Sequence, residues 1–155
     1  MSFKRPESAL VVIYNKQRQV LVMQRDDAAE FWQSVTGTLE LNEVPGQTAA
    51  REVREETGID VLSRGYQITD CRQINQYKIR DLWRHRYAPE VEVNTEYVFS
   101  LEVDSDEENI TLTEHLAYRW LGKQQAIDKV WSETNKEAGA LFLLSENSIV
   151  TSNLS

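Results

Sequence analysis

Apolar positions near the start of the chain fall in two short runs, residues 8–14 (SALVVIY) and 20–25 (VLVMQR), separated by Asn15-Lys16-Gln17-Arg18. Runs of this length on either side of a polar tetrapeptide predict a β-hairpin. Residues 32–36 (WQSVT) predict a further short strand, stopped by Gly37. The period then changes. Residues 45–57 have helix-forming composition, with Ala49, Ala50, Val53 and Thr57 along one stripe. Asn42 caps that helix or turns the chain into it, Pro45 suits the first turn, and Gly58 suits the stop.

Beyond the helix, 66–77 is strand-like, and 94–103 alternates so that Tyr97, Phe99 and Leu101 share one side. Residues 78–93 read as a polar, basic connection and 104–109 as a solvated acidic loop. A last strand is expected over 117–121. From Lys123 the pattern becomes helical, in two segments around Ser132, and 147–155 reads as a frayed tail. With no internal repeat and no low-complexity linker, the chain is expected to form one domain over residues 1–155. Several strands with an internal and a terminal helix predict a layered α/β or α+β fold.

Composition narrows the classes. A length of 155 residues suits one domain with a core. With 41% hydrophobic and 27% charged residues the chain groups with globular rather than disordered proteins. Its net charge of −8 opposes general coating of nucleic acid, and an anionic substrate would require a local basic patch, a bound cation or both. One cysteine, Cys71, excludes an internal disulfide and suits a reducing compartment. No apolar run approaches the ~20 residues of a membrane span, and the first residues lack a secretory pattern, so a cytoplasmic location is expected.

The chemistry concentrates on the internal helix. At 100° per residue, Glu52, Glu55 and Glu56 fall within an arc of about 100°. Glu52 and Glu56 are like charges at i, i+4, near the helix end where the dipole disfavours them. A surface helix needs no such arrangement, whereas a hard divalent cation does. Glu43 precedes the helix, and Arg51 is placed to bridge it to the helix carboxylates. Taken alone, such a cluster reads more readily as a solvated acidic face than as a metal site.

It is not alone. The stretch from Gly37 to Ile59 fits G-x5-E-x7-R-E-U-x-E-E-x-G-U, with U bulky and apolar, at Gly37, Glu43, Arg51, Glu52, Val53, Glu55, Glu56, Gly58 and Ile59. It therefore resembles the Nudix box. Asn42 stands where many relatives carry glycine, and Asn tolerates a left-handed backbone best among the other residues.

The resemblance implies an α/β/α sandwich around a mixed sheet, and hydrolysis of a nucleoside diphosphate linked to a further group with Mg2+, or Mn2+ in its place. It implies Glu52, Glu55, Glu56 and Glu114 as metal ligands, with the Gly37 carbonyl facing the metal. Glu55, Glu56, Glu114 and Arg51 are the implied catalytic set, Glu114 as a further ligand or proton acceptor. Residues 31–37, 84–89, 94–96, 113–118 and 131–132 resemble bacterial Nudix enzymes that act on dihydroneopterin triphosphate in folate biosynthesis.

That narrower likeness implies substrate contacts from Lys4, Arg25, Thr36, Tyr77, Lys78, Ile79, Arg80 and Ser132. Lys4, Arg25, Lys78, Arg80, Arg84 and Arg86 supply cations, and Phe31, Trp32, Trp83 and Tyr87 are candidate slabs for a flat ring. The partner is then a small-molecule pterin or nucleoside triphosphate, with no nucleic acid and no membrane; the oligomeric state is left open. A dATP-type pyrophosphohydrolase, a ligand-sensing Nudix domain that does not cut and an RNA-binding module are the alternatives.

Overall fold

The computed structural model describes residues 3–104 and 110–130. The opening apolar run forms β1 (Glu7–Asn15), which the hairpin returns as β2 (Val20–Arg25), with Tyr14 opposite Val20. The polar tetrapeptide makes a tight turn in which the Asn15 side-chain oxygen accepts the backbone N–H groups of Gln17 and Gln19, with Arg18 in a left-handed conformation.

β3 (Trp32–Gln33) and β4 (Val35–Thr38) follow, and α1 (Pro45–Thr57) begins on the expected proline. After it come β5 (Ile68–Lys78), a 3-10 turn (Asp81–Arg86), β6 (Val93–Val103), β7 (His115–Leu121) and α2 (Lys123–Lys129). The sheet runs β3-β2-β1-β6-β5, with β4 paired to β1 and β7 to β2. β1 pairs with β6 in parallel along the whole of β1 and the other strand pairs are antiparallel, so the sheet is mixed.

Alternation along β1 splits the core in two. Ala9, Val11 and Ile13 point to one face, where they meet Ala49 and Val53 of α1 with Phe99 and Leu101 of β6. Leu10 and Val12 point to the other, where Val22, Val98 and Trp32 meet Ala126 of α2 and Val130. One helix on each face makes the α/β/α sandwich. Being covered on both faces, β1 is a continuous apolar run instead of an alternating strand.

Several expectations are corrected. Gly37 does not stop the strand; β4 runs through it to Thr38. Ala50 is exposed, and Thr48 joins Ala49, Val53 and Thr57 on the buried stripe, because the α1 stripe lies one residue round from where alanine content places it. The last strand starts at His115. The 78–93 connection contains the 3-10 turn and a buried Ile79. Cys71 is half-buried on β5. Residues 105–109, the second C-terminal helical segment, Ser132 and the tail over 147–155 lie outside the described residues.

Candidate active site

β4 and the entrance to α1 set the floor of the site. Arg5 ties the N-terminal segment to this entrance by donating to the Glu40 carbonyl at 2.8 Å and to Glu7 at 2.6 Å. Asn42 turns the chain at φ 66°, the left-handed conformation its side chain tolerates. Gln47 accepts the Val44 backbone N–H at 3.0 Å, satisfying one donor at the helix start. At the far end Gly58 takes φ 80° and donates to the Arg54 carbonyl at 2.8 Å. Gly37 is required by what lies above it: a Cβ there would fall inside the Glu52 carboxyl group.

Arg51 is the hub. Its Nε and Nη2 donate to the two Glu43 carboxylate oxygens at 2.7 and 2.8 Å, a bidentate pair. Nη2 also donates to the Thr38 carbonyl at 3.0 Å, while Nη1 donates to Glu52 at 2.6 Å and to Glu55 at 3.1 Å. Thr48 and the Glu40 backbone N–H complete the shell of Glu43. The Arg51 hydrogen bonds, opposed in part by burial, hold the Glu43 carboxyl down to about 2. Glu43 in turn is the main cause that raises Arg51 further above its already high value.

The three helix glutamates differ sharply in exposure. The Glu55 side chain is 55% exposed, that of Glu52 12% and that of Glu56 3%. Neither Glu56 oxygen has a hydrogen-bond partner. Burial pushes this carboxyl well above its usual range, and Glu52 and then Glu114 push it the same way. Leaving a buried carboxylate uncompensated costs several kcal/mol, so the group is held either by a proton or by a cation. Two such oxygens are what a candidate metal ligand would present.

Among the described residues no three carboxylate, His or Cys side chains already converge on one point. His115 lies opposite, its Nε2 3.8 Å from Glu56 Oε1 and 3.4 Å from the Gln33 side-chain nitrogen. Burial, then the charge of Arg25, lowers the His115 pKa, which disfavours a charged imidazole beside Glu56.

The loop carrying Glu114 is tied to the end of α1. Thr113 Oγ1 donates to the Glu55 carbonyl at 2.7 Å, and the Thr111 backbone N–H donates to the Thr57 carbonyl at 2.8 Å. Glu114 is thereby brought, exposed, to the same cleft as the helix glutamates.

The cleft, about 850 Å³, also carries cations. Arg25 grips Asp27 with two hydrogen bonds of 2.7 Å, donates to Gln33 at 3.0 Å and stacks over Trp83 at 4.6 Å. Arg86 reaches the same Asp27 at 3.2 Å, and these arginines, Arg25 foremost, hold Asp27 far below the carboxylate range. The Lys4 backbone N–H donates to the Arg86 carbonyl at 2.9 Å, which pins that lysine at the rim. Loss of water around its ammonium, then the charges of Arg86 and Arg25, lowers the Lys4 pKa.

Lys4, Arg25, Thr36, Gly37, Tyr77, Lys78, Ile79 and Arg80 all border this cleft with Arg51, Glu52, Glu55, Glu56 and Glu114; Ser132 lies outside the described residues. Of the candidate slabs, Trp83 and Tyr87 line the cleft. Trp32 instead belongs to the core, flanked by Arg119 and Lys129, and Phe31 packs on Trp83 edge-on at 6.0 Å. Sequence reasoning missed Asp27, Gln33, Asn94, Glu96 and His115 in the cleft. Asn94 and Glu96 carried no local signal, because their phase on β6 (Asn94, Glu96, Val98, Ser100, Glu102) is mostly polar and reads as a solvated face.

Residues 4–142 match the NUDIX domain family model. The chain is 44% identical over 143 residues to the dihydroneopterin triphosphate diphosphatase of Escherichia coli K12, covering 92% of this chain and 95% of that one. The Haemophilus influenzae protein of the same name is 38% identical over 144 residues, covering 92% and 90%. The structure of the E. coli dihydroneopterin triphosphate pyrophosphohydrolase matches with a TM-score of 0.88 at 43% identity, covering 94% of this chain and 99% of that chain. A C. elegans Ap4A hydrolase, at 18% identity and a TM-score of 0.71, shares the fold. A complete box from Gly37 to Ile59, carried on this sandwich and lying inside the matched region, places the chain in the Nudix family.

Proposed function

We propose that the protein hydrolyses dihydroneopterin triphosphate to dihydroneopterin monophosphate and pyrophosphate, with the whole chain acting as one domain and Mg2+ as the metal, Mn2+ substituting. The observation that carries this reading is the pairing, in one cleft, of the orphaned Glu56 carboxyl with a wall of arginine and lysine. The names of the relatives at 44% and 38% identity supply the substrate.

Nudix hydrolases generally use divalent metal ions. Glu52 and Glu56 are the principal candidate ligands, joined by Glu55, Glu114 and the Gly37 carbonyl. When bound, the ion supplies charge neutralisation at the phosphoryl oxygens and makes a water more acidic. Arg51 keeps the Glu52 and Glu55 carboxylates fixed against the Glu43 anchor, so their geometry does not depend on the ion alone.

Glu114, on its tethered loop, is the candidate acceptor for the proton of the attacking water. Oxygen from that water joins one of the two phosphorus atoms flanking the α–β bridge, the P–O bond from that atom to the bridging oxygen breaks, and the products are the monophosphate and pyrophosphate. Lys4, Arg25, Lys78 and Arg80, with Thr36, face the polyphosphate, offsetting a charge of about −4 that a protein of net −8 would otherwise repel.

The test compares kcat/KM for dihydroneopterin triphosphate and dATP in the presence and absence of Mg2+, with pyrophosphate as the measured product. Preference for the pterin and strict dependence on a divalent ion are expected. Equal or better turnover of dATP overturns the pterin assignment, and turnover without a divalent ion overturns the metal reading.

A further inference from the structure

Two polar residues on β6 are buried in the wall of the cleft. Asn94 and Glu96 on β6 are 1% and 2% exposed, in phase with Val98 of the core, and both line the cleft. The Asn94 amide nitrogen donates to Ser8 Oγ at 2.8 Å and to the Tyr77 hydroxyl at 3.1 Å, while its Oδ1 is buried without a partner. Asn75, directly across on β5, reaches Glu96 at 3.5 Å. Burial and the nearby Glu96 charge push the Tyr77 hydroxyl above its usual range, so it stays a neutral hydrogen-bonding group.

A buried acceptor with no donor is rare in folded proteins and calls for an explanation. Here two acceptor groups two residues apart are buried in the wall of the cleft. A carboxylate can accept up to about four hydrogen bonds, so Glu96 can take donors from a ligand as well as from its neighbours. What is missing is a ligand edge carrying adjacent N–H groups.

We propose that Asn94 and Glu96 form a base-reading subsite that accepts hydrogen bonds from the N–H and exocyclic NH2 of a 2-amino-4-oxo heterocycle, the edge shared by pterins and guanine. Adenine presents a ring acceptor and an amine along the comparable edge, so it would leave the Glu96 carboxylate facing a lone pair. Sheet register supports the span. Ser8 stands on β1 between Thr38 of β4 and Glu96 of β6, and two strand spacings, about 10 Å, separate the outer two. Such a span suits a substrate whose phosphates lie by the glutamates and whose ring is held away from them by a short carbon chain.

This inference rests on the triphosphate-hydrolase reading, and the experiment separates the two. The wild-type protein is assayed on dGTP, on dITP, which lacks only the 2-amino group, and on dATP. The Glu96→Gln variant is assayed on dihydroneopterin triphosphate and dATP.

A site built to bond a substrate N–H discriminates strongly against analogues lacking it, so kcat/KM for dGTP should exceed that for dITP by about tenfold or more. In Glu96→Gln the ratio of kcat/KM between the pterin and dATP should fall by about tenfold or more. Equal turnover of dGTP and dITP, or a variant whose pterin-to-dATP ratio is unchanged, overturns the subsite while leaving the hydrolase standing. Failure to cleave any triphosphate overturns both. The dGTP–dITP comparison needs no variant, so a folding defect in Glu96→Gln cannot mask the result.

Discussion

Glu56 is held in a place that costs the protein stability: a carboxyl 3% exposed, between two other carboxylates, with neither oxygen bonded. Glu56→Gln removes the ionisable group without changing its size. If the residue serves a cation, kcat should fall by about 10³-fold or more while Tm stays at or above the wild-type value, since a buried charge has been deleted. Near-normal turnover would refute the role, and loss of fold by circular dichroism would show the carboxyl to be structural. Gly37→Ala makes a complementary prediction from sterics. The added methyl falls inside the Glu52 carboxyl, and a glutamate can swing away from it. Tm should therefore change by a few degrees at most, while turnover falls about 10–100-fold as the carboxylate is displaced. Equal losses in both would mean that Gly37 matters to the backbone and not to the site.

The loop–helix unit from β4 to Gly58 is tied together by the Glu43–Arg51 pair, and that pair titrates. Glu43 lies at about 2 when folded, against 4.5 for the ordinary side chain. Its folded value is depressed, so its contribution is fully present above pH 4.5 and is lost as pH falls towards 2, where the unfolded chain takes up the proton first. The pair lies near the surface and solvent screens it, so the loss is about 1–2 kcal/mol. Urea unfolding between pH 5 and 2.5 should show a slope that is shallower in Glu43→Gln; identical slopes would remove Glu43 from the acid response. This unit was also the part of the fold most legible in the sequence. Pro45, Gly58 and the box spacing are local signals, and α1 begins and ends on them. Elsewhere legibility ended where tertiary contacts decide. Ala50 and Thr48 differ only in which points at the sheet, and composition favours the wrong one. Gly37 reads as a strand breaker, yet it sits inside β4 because Glu52 needs its empty side. Polar alternation at Asn94 and Glu96 suggests solvent, whereas that face of β6 is a buried cleft wall. Nor does any local pattern announce that β1 pairs in parallel with a strand some 85 residues later, since a run buried on both faces looks alike in many topologies.

Across the whole molecule the net charge is −8, and one cleft gathers Lys4, Arg25, Lys78, Arg80 and Arg86 with three helix glutamates. Binding a divalent cation to the folded state alone relieves the repulsion among those glutamates and lets the Glu56 site be filled. By mass action, Mg2+ at ten times its Kd stabilises the folded protein by about 1.4 kcal/mol. For a chain of this size that corresponds to a Tm rise of roughly 3–6 °C. NaCl at matched ionic strength screens surface charge but has no site to fill, so its effect should be much smaller. In Glu56→Gln the Mg2+ increment should disappear while the NaCl response persists, because the site has lost its buried ligand and the surface has not changed. A thermal-shift titration of both proteins against both salts distinguishes the cases. If Mg2+ and NaCl shift the wild type alike, the glutamates are a solvated acidic face and the orphaned carboxyl must be held by a proton.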